Sequence, residues 1–136
     1  MAKCPYGLTR TLRLITVMSL LFLASCTAQP STRTVTLAQS GSSIDLRVGD
    51  TLLVALEGNP TTGFDWALVG SASPALDLVE RTFAPSSTAL GASGTVTYRF
   101  KAAAQGNTDL VINYSRSFES VPPERTFKLT VRVGPS

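Results

Sequence analysis

The sequence has no histidine and only two cysteines, Cys4 and Cys26. Without an imidazole, Ser-His-Asp and Cys-His catalysis are excluded. A metal site would have to be built from carboxylates, yet the nine acidic residues scatter one per strand or turn without a ligand spacing. Two of them could still meet in space for sugar hydrolysis, but nothing singles out a pair. No glycine-rich phosphate loop of a recognised kind occurs. No enzyme activity, metal or cofactor is therefore expected. Aromatic residues make up only 7% of the chain, and long runs of helical period are missing as well.

No apolar run is long enough to span a membrane either. Lys3, Arg10 and Arg13 precede an uncharged stretch over residues 14–23, about half the length a spanning helix needs. Leu23-Ala24-Ser25-Cys26 follows it. A basic start, a short apolar core and small residues at the cut are the layout of a secretory signal peptide; a retained signal anchor is the alternative. Leu-Ala-Ser-Cys also resembles the lipobox of bacterial lipoproteins, in which the cysteine is lipidated and becomes the mature N-terminus. The expected organisation is a signal peptide over 1–25, lipidated Cys26 with a short polar tether over 26–32, and one domain over 33–136. A location in the bacterial cell envelope follows, with the membrane reached through the lipid anchor.

Cleavage before Cys26 changes the charge. Loss of Lys3, Arg10 and Arg13 from the 12 basic residues leaves nine against nine acidic ones, so the formal +3 of the full sequence misleads. No basic patch remains to suggest nucleic acid or anionic lipid. Cys4 departs with the leader, which leaves Cys26 without a disulfide partner, so the fold must be held by its core. A free reactive Cys26 is the rival reading, but no histidine is present to activate it.

What is present alternates with period two. Strand candidates lie at 33–37, 43–48, 51–56, 64–69, 76–83, 95–101, 109–114 and 125–133, separated by glycine, proline and serine turns. Val96, Tyr98 and Phe100 share one face of their strand, and Phe127, Leu129, Val131 and Val133 share one face of the last. Eight short strands without a convincing helix predict an all-β, immunoglobulin-like antiparallel sandwich that behaves as a monomer. Trp66 is expected in its core as a packing residue.

A rigid sandwich of this kind works through its loops. In the first, Pro60 fixes its own φ and pushes Asn59 toward extended geometry, and Gly63 is free to take a positive φ where the chain turns back. Thr61 and Thr62 would offer small hydroxyls at a stiff, uncharged tip; an ordinary tight turn is the plainer alternative. The second loop, residues 84–94, is small and apolar and contains Gly91-Ala92-Ser93-Gly94, by itself no more than a flexible turn. The third, residues 115–124, carries Arg116 and Phe118. No charge partner for Arg116 is visible, and an exposed arginine beside an exposed aromatic is typical of binding hot spots. Phe118 capping the core edge is the alternative.

Together the three loops resemble the chagasin family of cysteine-protease inhibitors, which carries Asn-Pro-Thr-Thr-Gly before an aromatic, then Gly-x-x-Gly, then Arg-Pro-aromatic. Here the first motif is complete as Asn59-Pro60-Thr61-Thr62-Gly63-Phe64. The second is Gly91-Ala92-Ser93-Gly94. The third is Arg116-Ser117-Phe118, with serine where the family has proline. The resemblance implies a reversible, competitive inhibitor whose three loops form a wedge in the cleft of a papain-like cysteine protease, with residues 59–63 over the catalytic cysteine and histidine. A structural or adhesive lipoprotein that binds envelope glycan or a surface protein is the alternative function.

Overall fold

The computed structural model describes residues 28–70 and 73–136. The expected signal peptide over 1–25 and Cys26 lie outside the described residues. Eight strands form: β1 (Thr32–Thr36), β2 (Ser42–Arg47), β3 (Thr51–Gly58), β4 (Phe64–Val69), β5 (Leu76–Pro85), β6 (Gly94–Ala102), β7 (Gly106–Arg116) and β8 (Arg125–Gly134). They make two four-stranded sheets, in the orders β1-β3-β6-β5 and β2-β8-β7-β4.

Alternation builds the core between them. Leu52, Val54 and Leu56 of β3 face Ile112 and Tyr114 of β7 and the Phe127, Leu129 and Val131 row of β8, all essentially without solvent contact. Val96, Tyr98 and Phe100 share the inner face of β6, and Trp66 is buried as expected. Two pairings depart from a purely antiparallel arrangement. β1 runs parallel to β3, and β2 runs parallel to β8. The chain crosses from one sheet to the other through the turn at Leu37–Gln39 and crosses back through residues 48–50, so each outer strand meets a neighbour that runs its own way.

The opposite, open side of the sandwich lies between the edge strands β4 and β5. β5 carries a bulge between Leu78 and Glu80, a device that interrupts an edge ladder and discourages pairing with another chain. Arg81 of β5 closes that side: it is ion-paired to Asp65 of β4, and its Nε donates to the Tyr98 hydroxyl at 3.2 Å. Tyr98 in turn donates to the Trp66 carbonyl at 2.6 Å. Burial pushes the Tyr98 phenol above its ordinary value, opposed by Arg81, so it stays a neutral donor.

Register fixes two poles. β3 ends where β6 begins, with Gly58 opposite Gly94, and β4 begins where β7 ends, with Phe64 opposite Arg116. The β3–β4, β5–β6 and β7–β8 connections therefore share one pole. Thr32 pairs with Thr51 at the other, so the chain enters the sandwich from the pole opposite those loops.

Candidate functional site

The first connection is a single 3₁₀ turn, Pro60–Thr62, capped at both ends. Asn59 has the extended φ of −132° that a following proline favours, and Gly63 closes the turn in the left-handed region at φ +81°. Among the described residues no peptide bond is cis. Asn59 is the hub. Its backbone N–H donates to the Tyr114 hydroxyl at 3.0 Å, and its side-chain amide donates to the Gly91 carbonyl at 3.1 Å. Its Oδ1 accepts from the Thr61 backbone at 3.2 Å and from the Thr61 hydroxyl. Its carbonyl accepts from the Thr62 hydroxyl at 2.7 Å.

That pattern corrects one expectation. The two threonines are exposed, but both hydroxyl protons point inward to Asn59, so only acceptor lone pairs and methyl groups face outward. The hydroxyls brace the turn first, because an Asx-type cap leaves the asparagine oxygens within reach of the next two residues.

The turn stands on an aromatic platform. Tyr114 stacks on Phe64 at 5.3 Å and meets Trp66 at 4.9 Å, while Arg125 covers its ring at 4.6 Å. The Trp66 indole N–H donates to the Glu57 carbonyl at 3.0 Å, one residue before Gly58. Trp66 thus anchors the strand that leads into the turn as well as filling the core. Beside it a cleft of about 340 Å³ opens between Gly58, Ser93 and Arg125.

The second connection is closed at its base by Ser86, whose backbone N–H and hydroxyl both donate to the Ser93 carbonyl at 2.8 and 2.7 Å. Gly91 has φ +79°, and its carbonyl is the one held by Asn59. Gly94 does not belong to this loop: it is buried in β6, where a Cβ would strike the Ala84 carbonyl and the Phe83 ring. Its small size serves the strand ladder. Gly91, Ala92 and Ser93 remain at the pole with exposed or half-buried surfaces. Leu90, which motif reasoning passed over, is the most exposed large apolar residue described, at 104%. An isolated leucine between alanine and glycine in a turn was its only signal.

In the third connection Arg116 is the last residue of β7, and it has partners. Its guanidinium lies over the Phe64 ring at 4.4 Å, and Nη1 donates to Glu119 Oε1 at 2.9 Å. A neighbour three residues away was visible in the sequence but carries no signal until the turn brings it back. Ser117 and Phe118 are exposed, Phe118 at 72%, so Phe118 does not cap the core. Its ring instead rests over Gly63, where a Cβ would come within 3.1 Å of it. Asn59, Gly91 and Phe118 thereby tie the three loops into one surface, with Thr61, Thr62, Leu90 and Phe118 outward. Among the described residues no group of three or more histidine, cysteine or carboxylate side chains gathers to hold a metal.

Residues 45–131 match the family model described as chagasin family peptidase inhibitor I42. The chain belongs to that family. Its members are protease inhibitors rather than enzymes. Chagasin of Trypanosoma cruzi is 34% identical to this family member over 87 residues, covering 60% of this chain and 79% of that protein. The crystal structure of the cysteine protease inhibitor EhICP2 from Entamoeba histolytica is similar with a TM-score of 0.71 at 20% identity, over 78% of this chain and 98% of that one. PbICP-C in its complex with falcipain-2 is similar with a TM-score of 0.51 at 21% identity, over 79% of this chain and 92% of that one. The two structural likenesses speak for the fold, and the chagasin-family match carries the identity.

Proposed function

We propose that this chagasin-family protein is a reversible, competitive inhibitor of papain-family cysteine proteases that inserts the three loops of one pole into the active-site cleft. The observation that carries the reading is the Asn59 hub, which joins the first loop to the second through Gly91 and to the core through Tyr114. A turn braced in this way loses little entropy on docking, and that loss is a main cost of association. It also resists adopting the extended form a protease cleaves. PbICP-C, which shares the fold, is found with falcipain-2, which supports a papain-like partner. Residues 59–64, Gly91, Ala92, Ser93, Arg116, Ser117 and Phe118 form the proposed contact surface, with Leu90 added to it and Gly94 acting from behind. A three-loop wedge of this kind buries roughly 800 Å² on the inhibitor's side, enough for a specific complex.

The test is a titration of residues 27–136 into papain with a small peptide substrate, beside Thr62→Arg. Wild type is expected to raise the apparent KM without changing the maximal rate, and Thr62→Arg to weaken inhibition at least tenfold while staying folded. A folded wild-type domain that leaves papain and a panel of related proteases fully active would sink the reading.

The lipoprotein reading is part of the same proposal: a monomer, exported to the cell envelope and held by lipidated Cys26. The entry of the chain at the pole opposite the loops supports it, because a tether there leaves the inhibitory surface facing away from the membrane. One acyl chain binds only marginally, so durable anchoring takes more than one. Mass spectrometry of the mature protein is expected to show a multiply acylated Cys26 at the N-terminus; an unmodified terminus would refute the anchor.

A further inference from the structure

The Arg116–Glu119 pair is an unusual feature for a surface meant to meet a partner, since it neutralises the one cation of the third loop from within. Residues 116–119 form a hydrogen-bonded β-turn, with the Glu119 N–H donating to the Arg116 carbonyl at 3.2 Å. The side chains close the same turn a second time, at 2.9 Å. Arg116 is seated on Phe64, and its Nε is buried with no hydrogen-bond partner among the described residues, so the ring and the Glu119 carboxylate are what hold the guanidinium there. Phe118 lies inside this closed turn, with its ring over Gly63 of the first loop.

Ser117 occupies the second position of the turn. Proline is favoured there because its fixed φ suits both common turn types, and the extended Arg116 before it tolerates a following proline. The chain has serine instead. A turn without that restraint samples more conformers, and an aromatic carried on it would meet its pocket only part of the time.

Resting on the inhibitor reading, we infer that Glu119 is the positioning residue of the third loop: its ion pair with Arg116 does in this chain what a proline at 117 would do, and holds Phe118 ready for the protease. Glu119 acts through Phe118 and touches no partner itself. Arg116 accordingly meets the partner with its charge already neutralised, and Phe118 is the large apolar group that this turn offers.

Four variants of the domain test this against wild type: Glu119→Ala, Phe118→Ala, Glu119→Ala with Ser117→Pro, and Glu119→Ala with Phe118→Ala. Proton NMR reads the Gly63 α-proton shift, which the Phe118 ring perturbs. Glu119→Ala is expected to move that shift toward its value in Phe118→Ala, with the dispersion of core signals unchanged, and to weaken papain inhibition about fivefold to tenfold. Ser117→Pro is expected to restore both. In the Phe118→Ala background, loss of Glu119 is expected to have no further effect on inhibition. An unchanged Gly63 shift in Glu119→Ala overturns the inference, and so does a penalty that adds in full to that of Phe118→Ala, because Glu119 would then contact the protease itself. A wild type that inhibits none of the proteases tried overturns the inhibitor reading instead, and the Gly63 shift still decides whether Glu119 orders the loop.

Discussion

Gly63 meets two demands at once. Its φ of +81° costs a residue with a Cβ about 1–2 kcal/mol, and that Cβ would also sit 3.1 Å from the Phe118 ring. Ser117 and Phe118 are solvent-exposed, so the ring can move away and the steric part is relieved at the expense of the third loop. Gly63→Ala is therefore expected to lower the unfolding free energy by about 1–2 kcal/mol, read in urea with an unchanged m-value, and to weaken protease inhibition by more than that strain alone explains. Equal losses in stability and in inhibition would show that Phe118 does not depend on Gly63. Asn59 has a comparable double role, and only part of it was read from the sequence: Pro60 was expected to hold Asn59 extended, whereas its side-chain cap on the turn emerges from the fold. The direction of the threonine protons was not legible, because it depends on an asparagine rotamer fixed by Gly91, which lies 32 residues away.

At the scale of elements, all eight strands were legible, for a simple reason. Each inner strand buries alternate residues, as in β8 with Phe127, Leu129, Val131 and Val133, and that period survives in the sequence without any knowledge of partners. What depends on partners was not legible. The parallel pairing of β1 with β3 follows from a crossover between sheets, which leaves no periodic trace. Gly94 was read as loop because glycine, alanine and serine surround it, whereas its pairing with both Gly58 and Pro85 draws it into β6. Arg116 was read as free because its stacking partner Phe64 is 52 positions earlier, brought opposite by the β4–β7 register. β5 is the element least explained by burial, since only Leu76 of its ten residues is buried. Its hold on the sandwich comes from the β6 ladder and from the Arg81 clip to Asp65 and Tyr98.

For the molecule as a whole, the two poles are separated by the length of β3, roughly 25 Å at about 3.3 Å per residue, and they perform different tasks. The far pole is organised by Asp50, the buried carboxylate of the core boundary. It accepts from the backbone N–H groups of Ser31 at 2.7 Å and Arg47 at 2.8 Å, and so pins the incoming chain to the β2–β3 turn. Those two donors, Ser31 first, hold its pKa below the ordinary carboxylate value against the opposing effect of burial. A carboxyl whose folded pKa is lowered stabilises the fold fully above its unfolded value near pH 4, and that contribution disappears as the pH falls through the lower folded value. Asp50→Asn keeps the shape but turns an N–H₂ toward one of the two donors, leaving it unsatisfied. The expected loss is about 1–3 kcal/mol at pH 7, with a smaller difference from wild type at pH 2 than at pH 7, measured by urea unfolding across that range. Sites so far apart without shared partners act additively, so papain inhibition by folded Asp50→Asn is expected to equal that of wild type. A weakened inhibition constant at a temperature where the variant is fully folded would mean that the two poles are coupled through the sandwich.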